Sequence, residues 1–441
     1  MTEKPQDLRS DCANFDRRTF LGTTAATAGW MILNPSLVRG TDANSSVRVG
    51  LLGCGGRGTE DATNLVDTGS ARVTALADLF PDQLATARKH FDEHQQAKNI
   101  PALDPKQLFV GPNSYHEILA SKEIDAVVIA TPPYFHPLHL EAAVAAGKHV
   151  YLEKPVAVDV PGAHKVIDLG KKAEGKLSLD VGFQIRDCPP FVELVRRIHA
   201  GAIGRIVCGE AHYLTGYINR PQWPNASPDE LRLRNWIYDR VLSGDIIVEQ
   251  NIHVIDICNW VLKSHPLKVS GTASRAGRPA DGDVMGNYNV VFHYPEGVDI
   301  TFSSTQFAKG WWDVTERFFG TKGTTQSPYV GPLGIWGDEP WQDPNSLPKD
   351  NAGGKQQSFS VTGNFSSNLE QADPEKKKAF VESILTGKLH NQTAAGAESA
   401  LSCMMARMAA YTGHEVTWDE ALKSKEVWDA RLDLNKIAAK S

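Results

Sequence analysis

The chain of 441 residues is too long for one hydrophobic core and suits two domains. With 41% hydrophobic and 22% charged residues it has the make-up of an ordinary globular protein able to bury those cores. A net charge of -6 without a basic stripe excludes nucleic acid and anionic membrane surfaces as partners and leaves a small neutral ligand as the better candidate.

Taken in chain order, the first signal is Asp16-Arg17-Arg18-Thr19-Phe20-Leu21-Gly22, followed by a weakly apolar, Ala/Thr-rich run over 19–33. It resembles a twin-arginine export signal, which implies a protein moved already folded, to the periplasm or otherwise out of the cytoplasm. The run is too short to span a bilayer, and no later stretch reaches about 18 apolar residues, so no membrane span is expected in the mature chain. Thr41-Asp42-Ala43 is a weak cleavage-site candidate; the alternative is a retained N-terminus that tethers the protein. Residues 1–43 are assigned to signal and linker, 44–182 to a nucleotide-binding domain and 183–441 to a substrate and oligomerisation domain.

From Val47 buried strands alternate with amphipathic helices. "VRVGLL" (47–52) reads as a strand, Gly53-Cys54-Gly55-Gly56-Arg57-Gly58 as the turn opening a helix, and "RVTALAD" (72–78) as the next strand. Gly53 permits the tight turn, Gly55 lets a pyrophosphate approach the backbone, and Gly58 lets the helix pack against the sheet with its N-terminus toward the phosphates. Arg57 is a candidate phosphate contact, and Gly56 belongs to the same cradle. Asp78, about twenty residues on, is placed to accept both ribose hydroxyls and repel a 2'-phosphate, which favours NAD over NADP. Further strands at 124–131 and 148–155 put Thr131, Pro132, His136, Glu153 and Lys154 on the carboxyl edge, where such sheets bind ligands.

"ATPPYFHPLHLEAAVAAGKHVYLEKP" (130–155), "SGDIIVEQNIHVIDICNWVL" (243–262) and the run from "AFVESILTG" to "AAYTGHEVTW" (379–418) resemble the glucose-fructose oxidoreductase, inositol dehydrogenase and MocA family. The resemblance spans about 47–420. It implies an α/β fold: an N-terminal Rossmann doubly wound parallel sheet, then a C-terminal α+β domain whose large open, mostly antiparallel sheet covers the nicotinamide and often builds a homodimer or homotetramer. It implies oxidation or reduction of a carbinol carbon of a sugar or cyclitol with NAD(P), with Lys154 at the reacting hydroxyl and His253 as acid/base. The family places an aspartate four residues before that histidine, to orient and charge it; here the position holds Glu249, and Asp256 follows three residues after. This departure points to altered chemistry at the site.

After 177–186, the last parallel strand and its exit, longer runs at 268–275, 287–294 and 298–305 alternate as a sheet with one wet face does. The aromatic, polar loops between them suit a carbohydrate, whose C–H faces stack on rings while its hydroxyls need hydrogen bonds. Gln184, Arg186, Tyr213, Trp236 and Tyr238 are the candidate substrate contacts. The Gly/Pro/Asp-rich 320–363 reads as a surface excursion, and 374–412 as an amphipathic helix in which Glu398, Met404 and Tyr411 are structural. The six cysteines are scattered without C-x-x-C spacing, so neither a metal site nor a disulfide framework is expected.

Free NAD is scarce outside the cytoplasm, so an exported enzyme of this kind has to hold its cofactor and regenerate it in place. Three readings follow: hydride exchange between two substrates, transient oxidation of one sugar that leads to loss of a glycosidic substituent, and a non-catalytic carbohydrate-binding protein on the same scaffold.

Overall fold

Six short apolar runs form the first sheet: β1 (Val47–Leu52), β2 (Ala71–Asp78), β3 (Leu108–Val110), β4 (Ala126–Ile129), β5 (His149–Leu152) and β6 (Leu179–Val181). In the computed structural model, which describes residues 46–218, 221–279, 282–346 and 368–438, they lie in the order β3-β2-β1-β4-β5-β6. The twin-arginine segment lies outside the described residues. Every pairing in this sheet is parallel. Helices on both faces explain why β1, β4 and β5 read as continuous apolar runs: almost all of their residues are buried. Strand order reverses between β1 and β4, so the chain leaving these two strands diverges and a crevice opens at their carboxyl ends.

The second sheet has nine strands: β7 (Ile206–Leu214), β8 (Lys268–Ser274), β9 (Asn287–His293), β10 (Asp299–Thr305), β11 (Asp313–Gly320), β12 (Gly323–Gln326), β13 (Gly334–Gly337), β14 (Trp341–Gln342) and β15 (Val416–Thr417). Their order is β14-β13-β12-β11-β7-β10-β9-β8-β15, antiparallel except for the β7–β10 pair. Alternation buries Tyr288, Val290 and Phe292 of β9 with Ile300 and Phe302 of β10, while Asn289 and Thr301 face outward. The helices Ile252–Leu262 and Thr393–Thr412 pack on the sheet and join its core. No helix among the described residues is long and apolar enough to cross a membrane.

Two expectations are corrected. Within 320–363, read as a surface excursion, residues 323–342 supply β12, β13 and β14 and widen the sheet. The segment 374–412 is two helices, Ala372–Thr386 and Thr393–Thr412, the first ending at Gly387 in the left-handed region (φ 72°). The first of these returns to the parallel sheet: Phe380 and Val381 enter its core, and buried Lys376 pairs with Asp180 at 3.4 Å and Asp187 at 3.1 Å.

Candidate active site

The crevice at the reversal of strand order is a cleft of about 460 Å³ lined by Gly53, Gly55, Gly56, Asp78, Thr131 and Pro132, among others. The glycines there have steric reasons. Gly53 has φ +95°, and a Cβ would meet the Ala130 backbone at 2.7 Å; a Cβ on Gly58 would lie 2.2 Å from the Gly53 carbonyl. A Cβ on Gly55 would meet nothing within 4 Å, leaving its backbone open to a close ligand. Asp78 closes β2, and its two oxygens accept the Cys54 N–H (2.6 Å) and the Phe80 N–H (2.8 Å), which fixes the carboxylate at the cleft wall. These residues fit a dinucleotide: a bare turn for its phosphates, a helix N-terminus behind it, and an acid for a ribose.

Arg57 and Glu153, candidate cofactor contacts, are partners in a buried charge cluster. Arg57 Nε donates to Glu153 at 2.9 Å, its two terminal nitrogens reach the Asp373 carboxylate at 3.0 and 2.8 Å, and Asp61 lies at 3.1 Å. Lys377 adds Asp61 at 2.6 Å and Asp373 at 2.5 Å. Burial pushes the Asp61 carboxyl up to about 7, whereas the Arg57 charge helps hold Glu153 below its ordinary value despite burial. Arg57 and Lys377 thus face the carboxylates of Glu153 and Asp373 and a third carboxyl, Asp61, whose ionisation burial opposes. Gly182 makes room for this cluster, since a Cβ there would strike the Glu153 carboxylate at 2.5 Å. His136 is fully buried between the exits of β4 and β5, its Nδ1 and Nε2 each 2.7 Å from a carbonyl, of Pro155 and Thr131 respectively.

Lys154 follows β5, its bond to Pro155 cis. Its Nζ donates to the Glu249 carbonyl at 2.7 Å and to Glu249 Oε1 at 2.9 Å. Glu249 therefore serves the lysine, and the expected pairing of this carboxylate with His253 is corrected. Asp256 is also engaged elsewhere: it takes a two-pronged contact from Arg186 (2.8 and 2.9 Å) and a hydrogen bond from Ser399. His253 is left buried, edge-on to Phe183, with no hydrogen-bond partner at Nδ1. Burial, reinforced by the Lys154 and Arg57 charges, pushes its pKa well below 6.5, so the ring is neutral. A neutral imidazole beside an anchored ammonium can accept a proton from a hydroxyl whose oxygen the ammonium holds.

The substrate candidates divide. Gln184 follows β6 in a short helical turn, buried with Oε1 unpartnered. Arg186 is clamped by Asp256 through Nε and one terminal nitrogen. Tyr213 is buried on β7 near enough to Glu249 for that carboxylate to help raise its hydroxyl pKa, after burial. Trp236 and Tyr238 line the same cleft as Gly53 and Asp78. Glu398 is half-buried, Met404 lies in the core, and the Tyr411 hydroxyl bonds Asp245.

Sequence reasoning missed Asp373 and Lys377, and also Asn251, buried two residues before His253 with both side-chain polar atoms unpartnered. The four-residue spacing of Asp373 and Lys377 is a visible signal for a helical ion pair, but nothing local shows that the pair meets a turn 316 residues away.

This fold and site define a dinucleotide-binding protein. Residues 47–181 match the family model described as oxidoreductase family, NAD-binding Rossmann fold, and 191–326 match the GFO/IDH/MocA C-terminal domain. The chain belongs to the GFO/IDH/MocA family. It is similar to an inositol 2-dehydrogenase of Acidothermus cellulolyticus, 28% identical over 54% of this chain and 60% of the relative. It is similar also to glycosyl hydrolase family 109 protein 2 of Shewanella sp. (strain ANA-3), 29% identical over 46% of this chain and 41% of the relative. The chain thus spans less than two thirds of the length of either relative. The fold matches aldose-aldose oxidoreductase from Caulobacter crescentus, solved with glycerol, with a TM-score of 0.65 and 19% identity, over 84% of this chain and 99% of that one.

Proposed function

We propose that the protein is an NAD-dependent oxidoreductase acting on a carbinol carbon of a sugar, cyclitol or glycoside. The observation that carries this is the Lys154–Glu249 pair at the edge of the parallel sheet with neutral His253 near it. NAD, held at Gly53, Gly55, Gly56 and Asp78, supplies the hydride acceptor. Lys154 uses two of its three N–H bonds on Glu249, so one remains for the substrate oxygen, where it opposes negative charge as the proton leaves. His253 takes that proton, and its low basicity is offset by the ammonium's stabilisation of the oxygen. Gln184 and Asn251 are buried polar groups with unused hydrogen-bonding capacity, of the kind a polyol satisfies.

Export by the twin-arginine route is part of this proposal, supported by Arg17-Arg18 and the run that follows. An exported enzyme keeps its cofactor, so the net reaction is redox-balanced at one site. The similarity to glycosyl hydrolase family 109 favours, as the second reading, transient oxidation of a glycoside that ends in loss of its substituent. Supplying paired sugar donors and acceptors, or glycosides, to the nucleotide-loaded protein separates the two: product sugar alcohol and lactone support the first, released aglycone the second.

A further inference from the structure

A third apolar cluster stands apart from the two main cores. It comprises Phe80, Leu233, Leu242, Ala430 and Ile437, with Leu434 among the half-buried residues packed against it. Its members come from three places: the exit of β2, residues 228–243 of the second half, and the tail at 430–437. The cleft with the glycine turn and Asp78 opens among these pieces, and Trp223, Arg234 and Leu434 line it together with Phe80.

The contacts that hold this wall are specific. The Arg234 guanidinium stacks 3.9 Å from the centre of the Phe80 ring and 4.3 Å from that of Trp223, and bonds both oxygens of Asp82 at 3.0 Å and Glu230 at 2.7 Å. The tail is fastened where it begins. The Trp428 ring lies under the buried Arg407 guanidinium at 3.7 Å, its backbone N–H donates to Asp159 at 2.9 Å, and Arg232 donates to the Ala430 carbonyl at 3.1 Å. Beyond that anchor the tail lays Leu434 into the cleft wall.

We infer that residues 221–238 and the tail 428–438 form a clasp over the adenosine end of the dinucleotide, so that the cofactor is resident and does not exchange during turnover. The inference rests on the proposed use of NAD. The adenosine end follows from Asp78, whose carboxylate suits its ribose, with Phe80 two residues beyond. Leaving requires the cofactor to part Trp223, Arg234 and Leu434, so the clasp acts on the rate of release more than on the contacts that recognise the phosphates.

The test is an exchange experiment on the full chain loaded with isotopically labelled NAD and chased with excess unlabelled NAD. Two variants are compared: a chain ending at Lys425, and full-length Leu434→Ser, which alters one half-buried side chain and guards against a truncation that fails to fold. Release on the order of a hundredfold faster in either variant, with one NAD still bound per chain at saturation, is expected. Equal release rates in wild type and folded variants overturn the clasp while leaving the oxidoreductase reading intact. A wild-type chain that binds no NAD at saturation overturns both.

Discussion

Lys154 Nζ donates to both the carbonyl (2.7 Å) and the carboxylate (2.9 Å) of Glu249, a residue 95 positions away in sequence and four before His253. The residue that the family pattern assigns to the histidine has become the holder of the lysine. Among the described residues His253 Nδ1 has no hydrogen-bond partner.

Removing the ammonium should separate chemistry from binding. Lys154→Ala is expected to lower kcat by about 10²–10³-fold, with the Kd for NAD, measured by quenching of protein fluorescence, unchanged. Loss of NAD binding to the same degree would make Lys154 a cofactor ligand instead.

Glu249→Gln tests which partner the carboxylate serves. As a positioning residue for Lys154 it should affect kcat by about tenfold or more and leave the acid limb of the kcat/KM profile in place. A displaced acid limb would show that Glu249 acts through His253.

The pH dependence has a definite sign. The folded His253 resists protonation, whereas the unfolded imidazole takes a proton near 6.5, so this group costs stability as pH falls below 6.5 toward the lower folded value. The acid limb of kcat/KM should accordingly lie below pH 6.5. Denaturant unfolding at pH 7 and pH 5 should show a smaller loss of stability in His253→Gln than in wild type.

The buried cluster predicts opposite outcomes for two neighbours. Arg57→Ala leaves Glu153 and Asp373 with Lys377 as their remaining cation in the cluster and should cost about 3 kcal/mol in unfolding free energy. Asp61→Asn should be milder, because burial already opposes ionisation of that carboxyl and the amide keeps an acceptor oxygen for Lys377. Comparable losses in both would contradict this charge balance.

Much of the nucleotide half was legible because its signals are local. Strand, Gly53-x-Gly55-x-x-Gly58, helix, strand and Asp78 fall within some thirty residues, and hydrophobic runs specify parallel strands whatever lies further off. The partners of Arg57, Glu153, Arg186 and Glu249 were not legible, since each is chosen by packing between distant segments. β12, β13 and β14 were missed because strands this short, rich in Gly, carry too little alternation to register. The residues of the tail, half polar and without periodicity, gave no sign that they reach the nucleotide cleft.

The most direct test of the central claim is to incubate the NAD-loaded protein with a panel of cyclitols, aldoses and glycosides and record absorbance of the reduced nicotinamide in a single turnover. Reduction of the bound nucleotide by at least one polyol or glycoside is expected, slowed about 10²–10³-fold in Lys154→Ala. A wild-type protein that binds NAD and exchanges no hydride with any member of the panel would contradict it and mark the fold as a carbohydrate-binding scaffold.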